Sequence, residues 1–134
     1  MKALAAELGL SDRVNCAGWV EPEALRDRMK RADVLVHPSP VPDPFPNAVL
    51  EGMAAGMTVL GSDVCGSVID RIEHGVNGLI HRAGNEDQLA EHIQACLENP
   101  RTLEEFGKRA EKVAAQWPVE RAVRIICNLY KRTS

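Results

Sequence analysis

Four prolines alternate with other residues from Pro40 to Pro46, and no other stretch restricts the backbone of this 134-residue chain as strongly. Each ring fixes φ and withdraws an N–H donor, so residues 38–46 can continue neither as strand nor as helix. The acid among them, Asp43, is thereby held in a stiff loop. The apolar run Val34-Leu35-Val36 before the loop reads as a strand. After it, Ala48-Val49-Leu50-Glu51-Gly52-Met53-Ala54-Ala55 runs without a breaker. A helix should begin at Pro46 or Asn47, because proline suits the first helical position and asparagine caps well, and Gly56 should close it. Glu51 then lies about one turn inside that helix. Loop acid and helix acid are expected to share one mouth, beside a helix start whose free N–H groups favour an anion.

Similar alternation organises the rest. Residues 2–8 read as a helix closed by Gly9, residues 13–17 as a short strand, and residues 21–31 as an amphipathic helix. Strands are expected at 34–36, 58–60 and 78–80, and helices at 68–74, 86–97, 102–116 and 119–130. Helices between short apolar strands mean βαβ crossovers. The predicted fold is α/β, a Rossmann-like parallel sheet with helices on both faces. Ligands of such sheets bind beyond the carboxyl ends of the strands, which is where residues 38–51 fall. The length fits one domain, residues 1–134.

A formal charge of −3, a pI near 5.8 and 4% aromatic residues argue against a nucleic-acid surface. Cys16, Cys65, Cys96 and Cys127 form no CxxC pair, and the four histidines lack metal-ligand spacing. Neither a zinc site nor a redox motif is predicted, and reduced thiols fit a cytoplasmic protein. No apolar run approaches the ~20 residues of a membrane span. His37 and His74 read as structural, the latter at a helix end, and Met53 and Met57 as core residues. Arg121, Arg124, Lys131 and Arg132 make the last helix basic. That is a solvated face or, more sharply, a contact with another domain or with the anionic surface of a membrane to which the protein is peripheral.

The order Pro38-Ser39, Asp43, Pro44-Phe45, Glu51-Gly52-Met53-Ala54-Ala55-Gly56, with seven residues between the two acids, resembles the donor motif of retaining GT-B glycosyltransferases, specifically glycosyltransferase family 4. Leu8-Gly9-Leu10-Ser11-Asp12-Arg13-Val14, Gly18-Trp19-Val20, Ala32-Asp33-Val34-Leu35-Val36 and His74-Gly75-Val76-Asn77-Gly78-Leu79 recur in family order, so the resemblance spans essentially the whole chain. The family pattern has Glu where this chain has Asp43. Gly66-Ser67-Val68-Ile69-Asp70 is similar to a Gly-Gly segment ending in Glu.

The resemblance implies a donor-binding domain, the incomplete C-terminal half of a GT-B fold, which lacks its first strands and an N-terminal acceptor domain. The strand expected near residue 14 then has an open edge, to be covered by a second copy in a homodimer, by rearranged pairing or by missing sequence. The partners implied are a nucleotide-diphosphate sugar and a glycan or lipid acceptor, with no cofactor beyond the donor and no metal. Catalytic roles fall to Asp43, on the hydroxyls of the transferred sugar, and Glu51, on the ribose hydroxyls. Pro44, Phe45, Pro46, Asn47, Ala48 and Asp70 complete the donor site, Pro46 without an N–H to give. Isolated from its other half, such a domain is expected to be inactive. The competing readings are a non-catalytic interaction or regulatory module of the same fold and, behind both, a two-carboxylate hydrolase.

Overall fold

The computed structural model describes residues 1–133. Its elements are α1 (Lys2–Glu7), α2 (Pro22–Met29), β1 (Val34–His37), α3 (Asn47–Ala54), β2 (Thr58–Ser62), α4 (Gly66–Arg71), β3 (Gly78–His81), α5 (Glu86–Glu98), α6 (Pro100–Ala114) and α7 (Val119–Thr133). The three strands form one parallel sheet in the order β1-β2-β3, with Val34 beside Thr58 and Val59 beside Gly78. Parallel neighbours need a crossover, and α3 and α4 supply the two.

Strand β2 is the centre, and all five of its residues are buried. Side chains alternate across a strand, so Val59 and Gly61 face one way and Thr58, Leu60 and Ser62 the other. On the first face Val59 packs with Val49 and Met53 of α3, Val68 of α4, Ile72, and Ala110 and Ala114 of α6. Leu35 and Ile80 join that cluster, as their register beside Val59 and Gly61 requires. On the second face Leu79 lines a crevice with Ala95 and Cys96 of α5 and Phe106 of α6. Helices therefore flank both faces. At the start of β2 the Thr58 hydroxyl donates 2.7 Å to the Leu103 carbonyl of α6, and Gly107 comes so near that a Cβ there would lie 2.1 Å from the Gly56 carbonyl oxygen.

Three expectations change. The segment 13–17 is not a strand: the N–H groups of Arg13 and Val14 turn back to the Leu10 carbonyl at 2.9 and 3.0 Å. A strand exists only by pairing, and no described residue offers this segment a ladder. The sheet has three strands rather than four, and the open edge falls on β1, where Val36 is 38% exposed. The helix expected at 68–74 is α4, which ends at Arg71 with Ile72 extended. His74 thus caps no helix: its Nδ1 accepts the Ile80 N–H at 2.9 Å. Finally, α6 opens at Pro100 itself, a proline at the first position. No described helix is long and apolar enough to cross a membrane.

Candidate functional site

The proline loop is fastened to the connection between β2 and α4. The Asp43 N–H donates to the Val64 carbonyl at 3.3 Å, and the Gly66 N–H donates to the Asp43 carbonyl at 2.9 Å, which makes a bridge between Asp43 and Cys65. The Ser67 hydroxyl donates to the Pro46 carbonyl at 3.1 Å. A Cβ on Gly66 would stand 1.8 Å from the Pro44 carbonyl oxygen, so only glycine admits the loop at this depth. Gly66 and Ser67 thus brace the loop from below. Asp43 is fixed past the carboxyl end of β1, the edge where a parallel sheet offers a ligand its crevice.

Around Asp43 the site is polar below and open above. His37, the last residue of β1, brings its Nε2 to 3.5 Å from the Asp43 carboxylate. That is long for a hydrogen bond, and this buried nitrogen has no other partner. Cys65 lies beneath; its burial, reinforced by the charges of Asp43 and Asp63, pushes its thiol above the usual range. A neutral thiol is a poor nucleophile, so Cys65 is floor rather than chemistry.

The start of α3 adjoins this loop. Pro46 occupies its N-cap position, no side chain caps it, and the Val49 N–H turns back to the Pro46 carbonyl at 3.3 Å. The N–H groups of Asn47 and Ala48 have no acceptor among the described residues. Such orphan donors, with the helix dipole behind them, favour an anion. Glu51 is exposed in the next turn and lines a groove of about 590 Å³ with Ala54 and Ala55 of α3 and Pro22, Leu25, Arg26 and Met29 of α2. Asp43 does not line that groove, and no hydrogen bond or ion pair joins the two acids. One segment carries both, each with its own neighbours.

Asp70 is exposed on the last turn of α4 and pairs with Arg71. Arg71 reaches further. Its guanidinium lies 3.5 Å from the Trp117 ring centre and 5.6 Å from that of Phe45, while Arg121 approaches Trp117 at 4.2 Å. With its side chain only 10% exposed, Arg71 links the proline loop to the root of α7. Sequence reasoning assigned Arg71 nothing and His37 only packing. For His37 a signal existed, since it ends a strand on the Leu35 side; for Arg71 the contacts lie more than forty residues away at Trp117. Among the described residues, no cluster of three or more His, Cys, Asp or Glu side chains is arranged to hold a metal ion.

Residues 1–113 match the family of glycosyl transferases group 1. An uncharacterized glycosyltransferase of Methanocaldococcus jannaschii is 33% identical over 132 residues, which is 98% of this chain and 33% of that protein. A D-inositol 3-phosphate glycosyltransferase of Nocardia farcinica is 34% identical over 84% of this chain and 24% of its own. Among solved structures, Anabaena HepE in complex with UDP superposes with a TM-score of 0.89 at 27% identity, over 97% of this chain and 35% of that one. HepE has also been solved with UDP-glucose. The chain spans about a third of the length of the first of these, about a quarter of the second and about a third of HepE. These structural neighbours are GT-B glycosyltransferases, and with a match over most of its length the chain belongs to the glycosyl transferases group 1 family.

Proposed function

We propose that this chain is the donor-binding half of a retaining glycosyltransferase of family 4, which moves a sugar from a nucleotide-diphosphate donor to a glycan or lipid acceptor without a metal. The acceptor site would lie in sequence outside these residues, so the isolated chain binds donor without transferring its sugar. The observation that carries the reading is the uncapped start of α3, held by the braced proline loop beside Asp43 at the carboxyl edge of the sheet. Departure of a nucleoside diphosphate builds negative charge, and fixed N–H donors aimed at that charge lower the barrier. The N–H groups of Asn47 and Ala48 would take the diphosphate, with Pro44, Phe45 and Pro46 shaping its seat. Glu51 would accept from two ribose hydroxyls, a task suited to a carboxylate. Asp43 and Asp70 would accept from the sugar. The UDP and UDP-glucose complexes of HepE support a uridine nucleotide as the first ligand to try.

Calorimetric titration with UDP and UDP-glucose tests this. Binding is expected, and Glu51→Ala should weaken it about tenfold or more through loss of charge-assisted hydrogen bonds. Binding indifferent to Glu51→Ala overturns the assignment. A second reading, a non-catalytic module, is favoured by one observation: Gly66 and Ser67 brace the loop and Asp70 pairs with Arg71, so the segment that resembles a sugar contact already has structural partners. No nucleotide binding by a full-length enzyme carrying this domain would select that reading.

A further inference from the structure

At the candidate donor site the fold leaves the Nε2 atom of His37 buried and without a hydrogen-bond partner. His37 ends β1, and the ladder sets it beside Gly61 of β2, so its backbone has the firmness of the sheet. Its side chain is 22% exposed, but the exposed part is not this nitrogen, which faces Oδ2 of Asp43 at 3.5 Å. A buried donor left unpaired costs free energy that a single bond would recover. Asp43 has the converse arrangement. Its main chain is held on both sides, by the Val64 carbonyl and the Gly66 N–H, so only its side-chain torsions are free to turn. Among the described residues its carboxylate has no hydrogen bond or ion pair besides the approach of His37, and the side chain is 38% exposed.

We infer that His37 is a positioning residue of the donor site: its Nε2–H holds one oxygen of the Asp43 carboxylate so that the other is presented to the transferred sugar. The inference rests on the donor-binding reading above. A turn of the Asp43 side chain that shortens the gap by about 0.5 Å gives a charge-assisted bond of ordinary length. Oδ1 is then left to accept from a sugar hydroxyl. Fixing the carboxylate before the donor arrives removes a freedom that binding would otherwise have to remove. The effect is confined to the sugar. The Asn47 and Ala48 N–H groups and Glu51, assigned to diphosphate and ribose, form no hydrogen bond or ion pair with the His37 side chain. A ring that only filled space under the loop would, once removed, loosen the loop for nucleotide and nucleotide sugar alike.

Calorimetric titration of the whole chain with UDP and with UDP-glucose separates these roles. His37→Leu should weaken UDP-glucose about three- to tenfold and leave UDP within about twofold. His37→Gln, whose amide nitrogen can take the place of Nε2, should recover most of the loss. On an Asp43→Ala background the effect of His37→Leu should vanish, because the two side chains act as one unit. Equal weakening of both ligands, no change in either, or losses that add on the Asp43→Ala background overturn the inference. Binding of neither nucleotide by the unsubstituted chain is a different failure, that of the donor-binding reading, and the pairing is then decided without ligand. Proton NMR should show a downfield Nε2–H signal of His37 that Asp43→Ala shifts upfield or erases; a signal indifferent to Asp43→Ala overturns the pairing itself.

Discussion

Helices α2 and α3 are each eight residues long, yet they differ sharply in how they are built into the fold. The first has the better local signals: a proline at its first position, Glu23 in its first turn, Arg26 and Arg28 in its last. It buries no residue. The second has no capping side chain and no charge suited to the dipole, but it buries Val49, Gly52 and Met53 between the sheet and α6. Propensity and capping say where a helix begins and ends, whereas tertiary burial decides how firmly it stays. Full burial of one large apolar side chain contributes about 1.5–3 kcal/mol, more than the local signals of α2 together. The candidate donor site follows this division: its anion seat is on the buried helix, and α2 supplies one wall of the groove beside Glu51.

The contrast can be broken most directly at Met53, which is fully buried. Met53→Ala should cost about 2–5 kcal/mol in chemical denaturation, and a cost like that of a surface substitution would erase the distinction. Gly66→Ala comes next, at about 1–3 kcal/mol, because its Cβ meets backbone rather than a mobile side chain. It should also weaken nucleotide binding, since the brace under the loop is displaced. A smaller effect is expected in acid. Burial holds the imidazoles of His81 and His92 below their ordinary value of 6.5; nearby Asp63 opposes this at His81, while His74 and His81 reinforce it at His92 against Glu91. The folded state therefore favours the neutral rings. Their contribution is full above about 6.5 and is lost as the pH falls from there through the lowered values. Thermal melts across that range should show the decline, and His92→Gln should flatten it. Smallest of all, Leu25→Ala in α2 should stay within about 0.5 kcal/mol, while amide exchange in α2 outpaces that in α3.

Much of this was legible in the residues. Val34-Leu35-Val36, Thr58-Val59-Leu60 and Gly78-Leu79-Ile80 announce buried parallel strands, and Asn47 to Ala55 announces α3, because burial on both faces and helix punctuation leave local traces. Residues 13–17 misled because a strand is a property of two segments, and one alternating stretch such as Arg13-Val14-Asn15-Cys16-Ala17 looks alike with or without a neighbour. The brace from Ser67 to Pro46 spans twenty-one residues, and Gly66 can be seen to need its missing Cβ only once Pro44 lies over it. The meeting of His37 with Asp43 depends on the path of the proline loop, which φ angles restrict but do not draw.

The approach of two guanidinium groups to the Trp117 ring has an optical consequence. The chain has only two tryptophans, and the other, Trp19, is 79% exposed. Trp19→Phe would leave a single emitter whose fluorescence depends on Arg71, and Arg71 also lies over Phe45 in the proline loop. A nucleotide that shifts Phe45 would thus change the emission of an indole placed at the foot of the final helix, a built-in reporter that needs no dye.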